Sequence, residues 1–310
     1  NMNKASEVNV NFTAVTLVLA SGFLHASWNF LAKRSKDKLS FLWGAKALAL
    51  LLLSPVLAFY LRYFTGTTQL EKDFWFFIAL GAASGFVHFG YNYFLSMAYR
   101  YGDISFTYPI ARGLAPFLVA LFSFIFIEEV PSVSGATGML LIAGGMIFLV
   151  KSKTTKDESG SAKVPDYGPI AKEKAPLLFA VLTSIMIALY LFLDGRGSRA
   201  FTPFLFMYSY SLISTLLLAI PVYRRRKKFF REIKTNLKSI CLTSIMMPLS
   251  YFLALSAMQL TQLGYVASFR NISVVFASLF GLFLLKEEFT GFRLIGSMVI
   301  ALGAIALSIG

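Results

Sequence analysis

Apolar residues run along this chain in stretches of about 20, each closed by charges or turn residues. The pattern predicts helices near 12–32, 39–61, 73–99, 103–127, 132–150, 176–193, 201–223, 239–258, 262–285 and 289–309. A bilayer core of roughly 30 Å is crossed by about 20 apolar residues in a helix. The expected fold is therefore an all-α membrane protein with ten transmembrane helices. One long hydrophilic segment, Lys151 to Lys174, has the composition of a flexible linker and separates five helices from five. This gives a first five-helix repeat over 1–150, a linker over 151–175 and a second repeat over 176–310.

The halves match each other. A shift of 159 places Ala98 on Ala257, Phe117 on Phe276, Phe124 on Phe283, the Glu128-Glu129 pair on Glu287-Glu288, and Gly144 on Gly303. A weaker correspondence pairs Ser21 with Ser184 and Pro55 with Pro221. Because each half holds an odd number of spans, the second enters the membrane from the opposite side. The expected arrangement is two inverted five-helix repeats, as in many secondary transporters.

Composition agrees: of 310 residues, 57% are hydrophobic and 14% charged, and mean hydropathy is +0.68. The single cysteine, Cys241, excludes an intrachain disulfide and a cysteine metal cage. The net charge of +14 sits in loops between spans, where it sets orientation and touches anionic lipid, so nucleic acid is not an expected partner. The loops after the odd-numbered helices carry most of the Lys and Arg, most densely from Arg224 to Lys238. That bias places those loops in the cytoplasm and both termini outside.

Ionisable side chains inside a bilayer cost several kcal/mol, roughly 2.5–3.5 on insertion scales, and mark functional positions. Arg112 lies near the middle of helix 4, Arg270 near the middle of helix 9 and Lys46 in the first half of helix 2. Under the 159 shift Arg270 falls opposite Ala111, one position from Arg112. A structural reading has the arginines satisfying carbonyls freed near Pro109 and Pro116, and the Lys46 ammonium reaching the interface. A functional reading makes the two guanidinium forks a receptor for carboxylate or phosphate. Asp103, Glu128, Glu129, Asp194, Glu287 and Glu288 all fall at the ends of predicted helices, so no mid-span carboxylate is expected and a cationic substrate is disfavoured.

Polar stripes accompany these charges. Ser21, His25, Trp28 and Asn29 share one face of helix 1, Ser84, His88, Tyr91 and Asn92 one face of helix 3, and Ser105, Tyr108 and Arg112 one face of helix 4. Tyr190, Tyr251, Gln262, Tyr265 and Asn271 supply the second half, with Pro248 preceding Tyr251. Interhelical hydrogen bonding accounts for some of these, while His25 and His88 are also candidates for proton coupling. Gly81, Gly85, Gly144, Gly145 and Gly303 read as close-packing positions.

Three segments, HASWNFLAKRSKDKLSFLW, YRYGDISFTYPIARGLAPFLVALFSFIFIEE and YVASFRNISVVFASLFGLFLLKEE, together with the five-plus-five arrangement, resemble the EamA-type carriers of the drug/metabolite transporter superfamily. The resemblance implies a basket of ten helices around a central cavity lined by helices 1, 3, 4, 6, 8 and 9, with the 4–5 and 9–10 pairs as scaffold. It also implies export or exchange of amino acids, phosphorylated compounds or other metabolites. Relatives that expel cationic drugs use a glutamate in the first helix, where this chain has His25. Family models place both termini in the cytoplasm, opposite to the charge bias here.

The resulting expectation is a secondary transporter in a bacterial inner membrane, a monomer or homodimer. It would move a small anionic or zwitterionic metabolite by alternating access. Arg112, Arg270, His25, Trp28, Asn29, His88, Asn92, Tyr108, Tyr251 and Asn271 are the expected substrate-binding residues. Flipping of a phosphate-bearing lipid is the alternative. An integral-membrane enzyme fits less well, since neither paired mid-span carboxylates nor an HExxH-type zinc motif is present, and no cofactor or metal is expected. Without a nucleotide-binding motif, ATP is not the direct energy source.

Overall fold

A computed structural model describes residues 11–33, 35–64, 73–101, 111–112, 114–151, 169–273, 275–276, 279–280, 283 and 291–309. Among them the chain is helical, with no strand. In chain order the helices are α1 (Phe12–Lys33), α2 (Lys38–Phe64), α3 (Phe74–Tyr101), α4 (Ala115–Ile127), α5 (Val133–Lys151), α6 (Pro169–Ala200), α7 (Pro203–Tyr223), α8 (Arg226–Met258), α9 (Leu263–Phe269) and α10 (Gly291–Ile309). A 3-10 turn, Arg270–Ile272, continues α9. Six stretches, in α1, α2, α3, α6, α7 and α8, are long and apolar enough to cross a membrane, and shorter apolar helices lie at Ala115–Ile127, Val133–Phe148 and Ile295–Ala306. The outward surface carries Leu51, Phe59, Trp75, Phe86, Leu140 and Leu216, all more than half exposed, which suits hydrocarbon and not water.

Packing partners repeat between the two halves. α1 packs along α8 and α3 along α6; α3 also packs on α7 and α2 on α8. Counting five helices to a half, each of these pairs is the counterpart of the other. α5 and α10 form the most extensive pair, and their contact is reciprocal. A Cβ on Gly145 would lie 2.7 Å from Ile300 and 2.8 Å from the Gly296 carbonyl, and one on Gly303 would lie 2.8 Å from both Ile142 and the Gly138 carbonyl. The later residue of each helix meets the earlier residues of the other, so the two run antiparallel. Glycine at both points lets the backbones touch.

That contact corrects one detail. Gly144, which the 159 shift pairs with Gly303, has open space where a Cβ would stand. The residues that pack are Gly138, Ile142 and Gly145 against Gly296, Ile300 and Gly303, related by a shift of 158. Gly81 and Gly85 do pack closely, against Ser209 and Ile213 of α7.

Two helices are longer than their hydrophobic runs. α6 continues seven residues past the expected end at 193, to Ala200, and α8 begins at Arg226, within the basic run. Gly195 and Gly197 remain helical, and Leu263 and Phe206 occupy the space a side chain there would fill, so the helix passes close to both. In α8, Asn236 departs from helical geometry (φ −122°, ψ 24°) and separates a basic first segment from the apolar span. That segment is held down by Phe229, edge-on to Trp43, and by buried Glu232, which accepts from the Asp37 backbone N–H at 3.1 Å.

A candidate substrate and coupling site

Polar groups of α1, α3, α6, α7, α8 and the 3-10 turn converge inside the bundle. The turn follows directly from α9, and α1 lies against it: a Cβ on Gly22 would stand 2.9 Å from Ile272. Three residues later on α1, His25 meets Arg112, its Nε2 3.2 Å from the guanidinium Nη2. A guanidinium only donates, so in this arrangement His25 Nε2 is an acceptor and carries no proton. Trp28 packs edge-on to the His25 ring at 4.9 Å.

Arg270 opens the 3-10 turn, 8% exposed, with its guanidinium carbon 5.0 Å above the centre of the Tyr251 ring. Desolvated cation–π contacts of this kind are worth about 2 kcal/mol. His25 and Tyr190 each lie within electrostatic range of both Arg112 and Arg270, so the two arginines serve one region.

The largest departure from expectation is Asp194. Because α6 runs on to Ala200, this carboxylate lies within the helix, 0% exposed. Its Oδ1 accepts from Ser84 Oγ; its Oδ2 accepts from Tyr251 Oη and lies 2.9 Å from His88 Nε2. The ground for disfavouring a cationic substrate, absence of a carboxylate inside the spans, is therefore removed. A different ground replaces it: three side-chain donors already occupy this carboxylate. His88 is stacked between Tyr190, at 4.2 Å, and Tyr210, at 4.3 Å.

The other sequence candidates fall into place around this core. Asn29 and Asn92 each turn back to the carbonyl four residues earlier, those of His25 and His88, at 2.8 and 2.6 Å. One N–H of each amide is thus used within its own helix; Asn29 is exposed and Asn92 half-buried. Lys46 does not reach the interface; its ammonium donates to Ser214 of α7 at 3.1 Å. Tyr251 is reached without a break in α8, which stays helical through Pro248. Tyr108, like Ser105, Pro109, Glu287 and Glu288, lies outside the described residues.

Among the described residues two buried nitrogens have no hydrogen-bond partner, Trp28 Nε1 next to His25 and Asn271 Nδ2 next to Arg270. An unsatisfied buried donor costs about 1–3 kcal/mol. Both are donors, so each would be satisfied by an acceptor.

The helical fold has counterparts among known proteins. The model of the EamA-like transporter family matches residues 12–151 and again 174–309. A crystal structure of a protein 15% identical to this chain superposes with a TM-score of 0.68, over 97% of this chain and 98% of the other, a likeness of fold alone. No curated protein matches the chain.

Proposed function

This chain belongs to the EamA-like transporter family, an integral-membrane transporter family of the drug/metabolite type, and from that premise we propose that it is a secondary carrier for a small anionic or zwitterionic metabolite. The cargo would be an amino acid, a carboxylate or a phosphorylated compound, held where Arg112 and Arg270 serve one region. The observation that carries this reading is the cationic, donor-rich character of the region: Arg112 and Arg270 act on the same residues, Trp28 Nε1 and Asn271 Nδ2 have no partner among the described residues, and the nearby carboxylate is already occupied by Ser84, His88 and Tyr251. A carboxylate or phosphate supplies acceptors for those two N–H groups and a counter-charge for the guanidinium groups. The side chains that bind are Arg112, Arg270, Trp28 and Asn271, with Tyr251 as the surface on which Arg270 rests.

We further propose alternating access, a reading that the two-fold match of the family model supports. Residues 1–150 and 176–310 act as inverted halves that rock about the contact between α5 and α10, exposing the arginines first to one side and then to the other. The antiparallel, reciprocal packing of Gly145 and Gly303 supports this reading. We place the carrier in a bacterial inner membrane.

A thermal-shift panel of amino acids, dicarboxylates and phosphorylated metabolites on purified protein identifies the cargo, since a ligand stabilises the state it binds. Arg112→Ala and Arg270→Ala then each lower binding of that cargo. A lost charge-assisted hydrogen bond of about 1.5–3 kcal/mol amounts to roughly ten- to 150-fold. Folded variants that bind and transport as wild type does would sink the reading.

A further inference from the structure

We propose that Asp194 and His88 form a proton-binding pair linked through Tyr251 to anion binding at Arg270, so that the carrier moves a proton together with its anionic cargo. The inference rests on the anionic reading of the arginines above.

The geometry suits a proton site. A carboxylate with no solvent exposure lies 2.9 Å from an imidazole nitrogen, and Ser84 and Tyr251 hold its two oxygens in place. The imidazole is clamped between two tyrosine rings. One proton lies between the imidazole nitrogen and the carboxylate, and a second would be taken up on the other ring nitrogen. His25 is unsuited to the task, because its Nε2 already faces the Arg112 guanidinium.

The surroundings set the sign of the linkage. Facing the pair are Ser84 from α3 itself, Tyr190 from α6, backed by Tyr91 of α3, Tyr210 from α7 and Tyr251 from α8; Lys46 of α2 and Arg270 of the 3-10 turn act on it electrostatically. Both charged neighbours are cations and oppose a second proton. An anion on Arg270 cancels part of that opposition, so proton and anion each favour binding of the other, and the coupling is reciprocal. Tyr251 makes the link mechanical as well. Its hydroxyl donates to Asp194 while its ring lies under the Arg270 guanidinium, so a displacement at either end is felt at the other.

The proton site is tested without any transported solute. The full chain in lipid nanodiscs is stepped from about pH 8 to about pH 5, bracketing histidine titration, and followed by infrared difference spectroscopy. The expected result is a carboxyl or imidazolium band that is lost in Asp194→Asn and displaced in His88→Gln. Identical spectra for wild type and both variants would overturn the pair as a proton site. Linkage is read in weak buffer by adding glycine, succinate or inorganic phosphate and following the pH. Any of these that raises the thermal midpoint draws protons from solution with wild type. Tyr251→Phe, which keeps the ring and removes the hydroxyl, loses most of that uptake. A midpoint shift without proton uptake overturns the linkage and leaves the anionic reading standing. No shift with any of the three counts against the anionic reading itself, and the linkage falls with it.

Discussion

Arg199 donates to Glu129 at 2.7 Å, and the bond joins the end of α6 in the second repeat to the end of α4 in the first. The same guanidinium donates to the carbonyls of Met258 and Thr261, each at 2.8 Å, while the other Glu129 oxygen accepts from the Leu263 N–H that begins α9. Four chain segments thus meet on one ion pair at one end of the bundle. An anion at the start of a helix is favourable, which gives Glu129 a second reason to stay.

Arg199→Ala is expected to lower the thermal midpoint, with about 1–3 kcal/mol at stake for a charge-assisted group shared among several acceptors. Because Arg199 and Glu129 act together, the double variant with Glu129→Gln costs less than the sum of the two singles. A double-mutant cycle in detergent measures this, and strict additivity would deny the clasp.

The reciprocal contact of α5 and α10 predicts equal sensitivity at two distant positions. Gly145→Leu and Gly303→Leu each destabilise by about 1–3 kcal/mol or more, since each forces two backbones apart. Gly144→Leu, with open space around it, is tolerated. Thermal unfolding of the three variants checks the pattern, and a Gly144 variant worse than the other two would refute it.

Ser21 and Ser250 exchange hydrogen bonds between α1 and α8, each hydroxyl donating to the other residue's carbonyl, at 2.7 and 2.8 Å. Either Ser→Ala change should cost about 0.6 kcal/mol, the average for interhelical hydrogen bonds in membranes. Losses several times larger in unfolding assays would show that these serines do more than join two helices.

Orientation is open to a chemical test at the junction of α7 and α8, where Arg224 to Lys228 are all exposed. The charge bias of the sequence predicts a cytoplasmic junction. A Lys227→Cys protein in a Cys241→Ser background is expected to react with an impermeant thiol reagent in inverted vesicles and not in intact cells. The reverse pattern would turn the molecule over.

The sequence showed the helices well because lipid imposes one rule, a run of about 20 apolar residues, on every span. It also showed the two halves, through Glu128-Glu129 and Glu287-Glu288. It misplaced Asp194 because the apolar run stops at the first charge, just before Gly195 and Gly197, while the helix continues to Ala200. Whether a glycine ends a helix or admits a neighbour depends on what packs there, here Leu263 and Phe206, and no local pattern contains that. Tyr210 went unnoticed among many aromatics; only tertiary contact distinguishes a ring stacked on His88 from one facing lipid. The register error between Gly144 and Gly145 has a similar origin, since adjacent glycines look equivalent until a partner chooses one.

The α5 and α10 contact also has a schedule. Gly145 and Gly303 are 158 residues apart in the chain. At about 5–20 residues per second of synthesis, α5 waits roughly 10–30 s before its partner exists. Throughout that interval its glycine groove lies open to lipid and to the helices of other nascent proteins. Slowing translation between the two should therefore lengthen the period in which the chain is most open to mispairing, and the first half would need an insertase or chaperone beside it until the second arrives.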